Sequence, residues 1–271
     1  MSALRRPGTM LAFVFLAVLL LAAAWPSLFS ATDPNSADIQ QTLSPPSAEH
    51  WFGTDQNGRD LYARVIAGVR LSLLIGVAAS ALALVAGTVI GVLAAQGGRA
   101  TNTVVNRLLD ILLSIPGLLL VLLVIAVLGA GTWETILGVA LITTPGYARV
   151  VRGEVIRIRG AVFLEAAATL GWSRPQIVLR HLVPNALGPV LVLATIGSGT
   201  AISIGSALSF LGLGPQAPTA EWGAMLSSSR DYFTVAWWPA IFPGLAITAT
   251  VLAITVAGQF LQLRLEGRAP R

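Results

Sequence analysis

Six long apolar stretches recur along this chain, at about 9–30, 69–95, 106–129, 132–150, 186–212 and 237–262, and they decide what it can fold into. A helix that crosses a bilayer needs roughly 20 mainly apolar residues, and inside lipid its backbone groups must satisfy one another. Strands and ordinary core helices are shorter. The pattern therefore predicts an all-α integral membrane protein with six transmembrane helices. Composition agrees, with 55% of residues hydrophobic and only 11% charged, against about 25% charged in a soluble domain. The fourth stretch is the weakest, because Glu134 and Pro145-Gly146 interrupt it. Pro116 should kink the third by removing a backbone donor. The first stretch has a rival reading as a cleavable signal peptide, from Arg5-Arg6 to Ala22-Ala23-Ala24. Its length and the stretches that follow favour a span.

The chain has no Lys, so all 17 basic residues are Arg, and they gather between the apolar stretches. That is a pattern of membrane topology rather than of a nucleic-acid surface. With the N-terminus inside, the cytoplasmic segments hold Arg5, Arg6, Arg99, Arg107, Arg149, Arg152, Arg157, Arg159, Arg174, Arg180, Arg264, Arg268 and Arg271. The outer segments hold Arg59, Arg64, Arg70 and Arg230. A ratio of 13 to 4 predicts both termini in the cytoplasm.

Several chemistries are excluded or disfavoured. There is no Cys, hence no disulfide framework and no thiol nucleophile. A phosphate-binding P-loop needs a Lys beside its glycines, and none is present. His50 and His181 fall on opposite sides of the membrane in this topology, so they cannot share a metal. Asp55 and Asp60 lie outside, whereas Glu154 and Glu165 lie inside. Asp110 and Glu134 are the only acids near span interiors, and both sit near span ends, where an acid snorkels or caps. An intramembrane enzyme would need polar catalytic groups within the spans. A secondary transporter would show inverted repeats and intramembrane charges, and neither is evident.

Two spans carry small residues at every fourth position: Ala79, Ala83, Gly87, Gly91 and Ala95 on the second, and Gly197, Ala201, Gly205 and Ser209 on the fifth. Such stripes let helix backbones approach closely in lipid. Beside the later stripe, Ser198, Thr200, Ser203 and Ser206 are candidates to line a substrate path. Three polar segments connect the spans, at 31–66, 151–185 and 213–236. In the middle one, residues 162–171 read as a short helix stopped by Gly171. Ser173, Pro175 and Gln176 then read as a new helix start with a capping box. Pro184-Asn185 should end that second helix. A compact helical knuckle held outside the membrane suits protein docking.

The knuckle resembles a known motif. Glu165-Ala166-Ala167, with Gly171 six positions after the Glu and Leu182-Val183-Pro184 beyond, is similar to the EAA loop of ABC importer permeases. Phe52-Gly53-Thr54-Asp55-Gln56-Asn57-Gly58-Arg59-Asp60, followed by Arg64, Gly68 and Arg70-Leu71-Ser72-Leu73, resembles the outer-loop signature of the peptide/nickel permease family, C-type subunit. Also similar are Asp110 to Pro116-Gly117, Arg180-His181-Leu182-Val183-Pro184-Asn185, Ala207 to Gly214, Glu221-Trp222-Gly223, and Trp237-Trp238 through Phe242-Pro243-Gly244. The resemblance runs from about residue 5 to 258. One departure lies at the C-terminus, where Gln259-Phe260-Leu261-Gln262-Leu263-Arg264-Leu265-Glu266 stands in place of the family's acidic tail.

The resemblance implies a type I ABC importer permease fold in a bacterial inner membrane. An N-terminal span and extracytoplasmic loop (1–68) would precede the permease core (69–271), with its cytoplasmic loop at 151–185. It implies that Glu165, Ala166, Ala167, Leu170, Gly171, Trp172 and Pro184 couple the chain to ATPase subunits. It likewise implies that Gly53, Thr54, Asp55, Gly58, Arg59 and Asp60 meet an external substrate-binding protein. The implied partners are a homologous B-type permease, two ATPase subunits or one fused ATPase, the binding protein, and membrane lipid. ATP and Mg would sit on the ATPases, with no cofactor, metal or catalytic residue on this chain. Related permeases carry dipeptides, oligopeptides, glutathione, opines, haem or nickel, so the resemblance leaves the substrate open.

Overall fold

The computed structural model describes residues 7–265, and every regular element in them is helical. Arg5, Arg6, Glu266, Arg268 and Arg271, used above for topology and the tail, lie outside the described residues. Helix α1 spans Pro7–Ala24, and α2 runs from Leu61 to Gln96, two turns earlier than its apolar stretch suggests. The second helix can start there because Asp60 caps it, accepting from the Ala63 amide at 2.8 Å. Helix α10 covers Trp238–Leu265, and a further continuous helical run covers Arg174–Phe210. These four are long and apolar enough to cross a bilayer.

The third stretch departs from expectation. Instead of one kinked span it forms two helices, α3 (Arg99–Ser114) and α4 (Gly117–Leu128), which meet at 92°. The pair counts as a fifth span only if taken together. The cause is local: Pro116 forces Ile115 into extended backbone (φ −85°, ψ 131°) and cannot donate to the preceding turn. Helix α3 is amphipathic, with Arg99, Asn102, Asn106, Arg107 and Asp110 along it, and it buries only Leu109.

Helix α5 (Thr132–Ile158) runs unbroken through Pro145. It is not apolar enough to be assigned as a span by composition, which is why the fourth stretch reads as weak. Its position explains the dilution, since Ile136, Val139, Ala148, Val151 and Val155 are at most 1% exposed. Wrapped largely by protein, α5 tolerates Thr143, Thr144 and Tyr147, whose hydroxyls bond at 2.7–3.0 Å to Val139 and Ala140 carbonyls and to Ser80. The small-residue stripe of α2 lies against it. A Cβ at Gly87 would sit 2.6 Å from Tyr147 Cβ, and one at Gly91 would sit 2.6 Å from the Ala148 carbonyl oxygen. The later stripe packs likewise, because a Cβ at Gly205 would meet Ile75 Cγ2 at 2.7 Å. Both stripes are helix-packing surfaces.

This packing predicts an asymmetry between glycines. Gly91→Val must force α2 away from Ala148 and Val151, at a cost of about 1–3 kcal/mol. Gly146→Ala, where an added Cβ meets nothing within 4 Å, should be neutral. Thermal unfolding of the purified protein in detergent measures both. Equal midpoints for the two variants would contradict the α2–α5 contact.

Candidate functional site

The knuckle forms from local sequence signals. Helix α6 (Val162–Thr169) stops at Gly171, which takes φ +84°. The Trp172 amide reaches back to the Ala167 carbonyl at 3.2 Å, the long bond of a Schellman stop. Only glycine adopts that backbone without strain. Helix α7 (Arg174–Ile177) then starts with the Ser173–Gln176 capping box. The Trp172 ring anchors the turn, with the His181 ring 4.9 Å away and the Arg180 guanidinium 5.5 Å from its centroid. Leu164 (7% exposed) packs among Val155, Ile158 and Leu182, and Ala167 is buried at 6% exposed. Glu165, Ala166 and Leu170 point away from the bundle, and Leu170 is 78% exposed. The result is a small convex surface of mixed apolar and acidic character with no covering group among the described residues.

Pro184 does not end the helix that α7 begins. The chain passes from α7 through one widened π-helical turn, Val178–Leu182, directly into α8 (Val183–Phe210). In an unbroken α-helix Pro184 would leave the Arg180 carbonyl without its donor and press on the preceding turn. The wider turn, in which the Val183 amide bonds the Val178 carbonyl, absorbs that fault without ending the helix. Pro184 itself is exposed. The second helix of the knuckle therefore runs into α8 without a break.

The four α8 candidates do not share a face. Thr200 and Ser203 are exposed, in line with Leu193, Ala207 and Phe210, and form one stripe that the chain leaves uncovered. Ser198 turns instead toward α1 and α10 and donates to the Ala194 carbonyl at 2.9 Å. Ser206 is 7% exposed beneath α9 (Trp222–Ser229), where a Cβ on Gly223 would meet its Cα at 2.8 Å.

The outer-loop motif turns inward. Gly53, Thr54, Asp55, Gly58 and Asp60 are buried, and Arg59 is half-buried. Thr54 accepts from the Ser44 amide at 2.8 Å, donates to the Gln41 carbonyl, and offers its own carbonyl to Trp238 Nε1 at 3.1 Å. Asp55 accepts from the Asn57 and Arg59 amides and pairs with Arg64 Nε at 3.3 Å. Arg64 Nη1 donates in turn to the Pro34 carbonyl at 3.0 Å. Asp60 pairs with His50 Nδ1 at 2.8 Å besides capping α2. At Gly53 (φ +77°) a Cβ would lie 2.6 Å from the Ser44 carbonyl oxygen. These residues hold the loop as one folded unit on the ends of α2 and α10, and exposed surface falls to neighbours such as Trp51 and Asn57.

A second anchor at this end forms around Glu221 and Trp222. Glu221 is 1% exposed and caps α9, accepting from the Gly223 amide at 3.0 Å, the Ala224 amide at 2.8 Å and Ser72 Oγ at 3.1 Å. Trp222 is fully buried and donates Nε1 to the Val65 carbonyl at 2.9 Å. Nothing local announces the Ser72–Glu221 bond. The signals are the Glu221-Trp222-Gly223 motif, an acid directly before an aromatic at a helix start, and Ser72 within the Arg70-Leu71-Ser72-Leu73 motif.

At the opposite end the arginines stitch helices together. Arg149 pairs with Asp110 at 2.5 Å, Arg152 Nε donates to Asn102 at 3.1 Å, and Arg159 donates to the Ala95 carbonyl at 3.3 Å. Asp110 is thus an exposed tie between α3 and α5. Among the described residues, no cluster of three or more His, Cys, Asp or Glu could hold a metal. His50 and His181 lie at opposite ends of the bundle.

Comparison with known proteins agrees with this geometry. Residues 87–270 match the family model described as the binding-protein-dependent transport system inner membrane component. The chain is 40% identical over 247 residues to the dipeptide transport system permease protein of Alkalihalophilus pseudofirmus, across 91% of this chain and 81% of that one. It is 37% identical over 263 residues to the probable D,D-dipeptide transport system permease protein of Escherichia coli, across 97% and 88%. A glutathione transport system permease protein of Escherichia coli is 39% identical over 253 residues, across 93% and 83%. In fold, the MetNI methionine ABC transporter in its inward-facing conformation matches 76% of this chain and 97% of its own, with a TM-score of 0.60 at 21% identity. The chain belongs to the family of binding-protein-dependent transport system inner membrane components: it is a permease subunit of an ABC importer and not an enzyme, ATP hydrolysis being carried by separate subunits.

Proposed function

We propose that this chain forms half of the translocation pathway of a bacterial inner-membrane importer for di- or oligopeptides, or for a related small substrate such as glutathione. The observation that carries the reading is the single helical run from Arg174 to Phe210, which joins the exposed knuckle to the uncovered stripe at Thr200 and Ser203. In this reading Glu165, Ala166, Leu170 and Gly171 meet the ATPase, and Ala167, Trp172 and Pro184 hold the knuckle in shape. The partners are a homologous B-type permease, two ATPase subunits or one fused ATPase that binds ATP and Mg, and an external binding protein. ATP binding closes the ATPases, the knuckles move with them, and the stripes of the two permeases switch access from one side to the other. The names of the relatives support the peptide class.

Six spans with both termini cytoplasmic complete the proposal, α5 counting as a span and α3–α4 as one broken span. The N-terminal span and outer loop (1–68) sit beside a permease core (69–271) whose loop at 151–185 faces the ATPases. Its support is the segregation of described arginines, nine at the knuckle end against Arg59, Arg64, Arg70 and Arg230 toward the other. The folded outer unit presents its exposed residues to the binding protein, while Gly53, Thr54, Asp55, Gly58 and Asp60 keep that surface in place.

Two experiments test this. Single substitutions Ser36→Cys and Ser228→Cys, both at exposed positions, should react with an impermeant thiol reagent in intact cells, whereas Thr169→Cys should not. Labelling at Thr169 alone would reverse the orientation. In proteoliposomes holding the complex and its binding protein, the wild type should take up labelled dipeptide with ATP. Gly171→Val, strained by about 1–3 kcal/mol at its left-handed backbone, should lower uptake and stimulated ATP hydrolysis together. Gly171→Asn, which tolerates that backbone, should be milder. Normal uptake in Gly171→Val would remove the coupling role, and uptake of glutathione without dipeptide would move the substrate assignment.

A further inference from the structure

We propose that the groove between α1, α2, α8 and α10 binds an anionic phospholipid, with an acyl chain along the groove and the phosphate at Arg264. The groove has a volume of about 450 Å³ and is walled by Leu16, Leu20, Val77, Ile254 and Leu261. Its polar members are already satisfied, since Thr195 donates to the Val192 carbonyl at 2.7 Å and Ser198 to the Ala194 carbonyl at 2.9 Å. The lining therefore leaves no hydroxyl donor unmet, which suits a hydrocarbon chain rather than water. Helices α8 and α10 close its floor tightly, for a Cβ at Gly258 would sit 2.6 Å from Ile196 Cγ1.

The mouth at the arginine-rich end is prepared for an anion. Phe13 of α1 meets Phe260 of α10 edge-on, with ring centroids 5.7 Å apart. The Arg264 guanidinium lies over the same Phe260 ring at 5.0 Å. This cation–π contact keeps the head at the groove instead of leaving it to wander into solvent. Arg264 makes no ion pair with an acid among the described residues, whereas Arg149 and Arg157 do. Besides Arg264, the knuckle end carries eight described arginines against Asp110, Glu154 and Glu165, so the local potential favours a lipid with net negative charge over a zwitterionic one. A basic site beside an apolar groove, at the level where span meets interface, matches the two ends of such a lipid. The inference does not depend on what the importer carries.

Native mass spectrometry of the purified permease–ATPase complex, titrated with phosphatidylglycerol and phosphatidylcholine of the same acyl chains, tests it. The wild type should retain phosphatidylglycerol about five-fold more than phosphatidylcholine, the effect of one well-placed cation. Arg264→Gln, a change at the exposed rim, should abolish the preference, and Arg264→Lys should restore part of it. Ala257→Phe, which fills the groove, should remove both lipids. Equal retention of the two lipids by the wild type, or an unchanged preference in Arg264→Gln, would overturn the proposal. So would the absence of any lipid adduct from the assembled complex, an outcome that would make the groove a protein–protein face.

Discussion

The contact between α2 and α5 is the constraint on which the rest of the bundle depends. Lipid tails are as apolar as the side chains they touch, so helices in a bilayer gain little from apolar burial and must pack by shape. Gly87 and Gly91 let α2 lie against the backbone of α5 at Tyr147, Ala148 and Val151. With that contact fixed, α5 becomes the central post, α8 closes over both, and α4 covers what remains. The ties of Asp110 to Arg149 and of Asn102 to Arg152 then hang α3 from the arginine-rich end of α5, which lets the chain turn through 92° at Ile115-Pro116 without losing the bundle.

Features set by a few neighbouring residues were legible in the sequence. The glycine stop at Gly171 and the capping box at Ser173 need only their own turn, and both form as read. The spacing of small residues along α2 and α8 likewise predicted close backbone approach. Features set by distant partners were not legible. Pro184 reads as a terminator, but one widened turn lets the helix continue, and no local signal separates those outcomes. Pro116 reads as a kink and produces a break, because α3 is polar enough to find partners outside the apolar run. The outer motif was visible as a motif, yet its inward role rests on Thr54 meeting Trp238 and on Asp55 meeting Arg64. Of the four polar α8 candidates, only Thr200 and Ser203 fall on the open face, and it took the packing of α9 and α10 to remove the other two.

The fold divides labour along its length. At the end that carries the first loop and α9, buried polar bonds hold the loops: Glu221 and Trp222 fasten α9 to α2, and the Asp55–Arg64 pair fastens the first loop to α2 beside Pro34. At the arginine-rich end polar groups are mostly exposed, and the knuckle leaves Glu165, Leu170 and Gly171 uncovered. Between the ends, the helical run from Arg174 to Phe210 continues past Pro184 and Pro189 and reaches from the turn after α6 to the uncovered stripe at Thr200 and Ser203.

We propose that this continuity couples the two ends, and it can be cut without touching either. Inserting a flexible Gly-Gly pair between Leu182 and Val183 would interrupt the run at the widened turn while leaving α6, α7 and the stripe of α8 in place. Binding-protein-dependent uptake and ATP hydrolysis by the reconstituted complex are then measured together. The ATPase subunits should still bind and retain basal hydrolysis while uptake is lost. Uptake at the wild-type rate through the interrupted helix would contradict it.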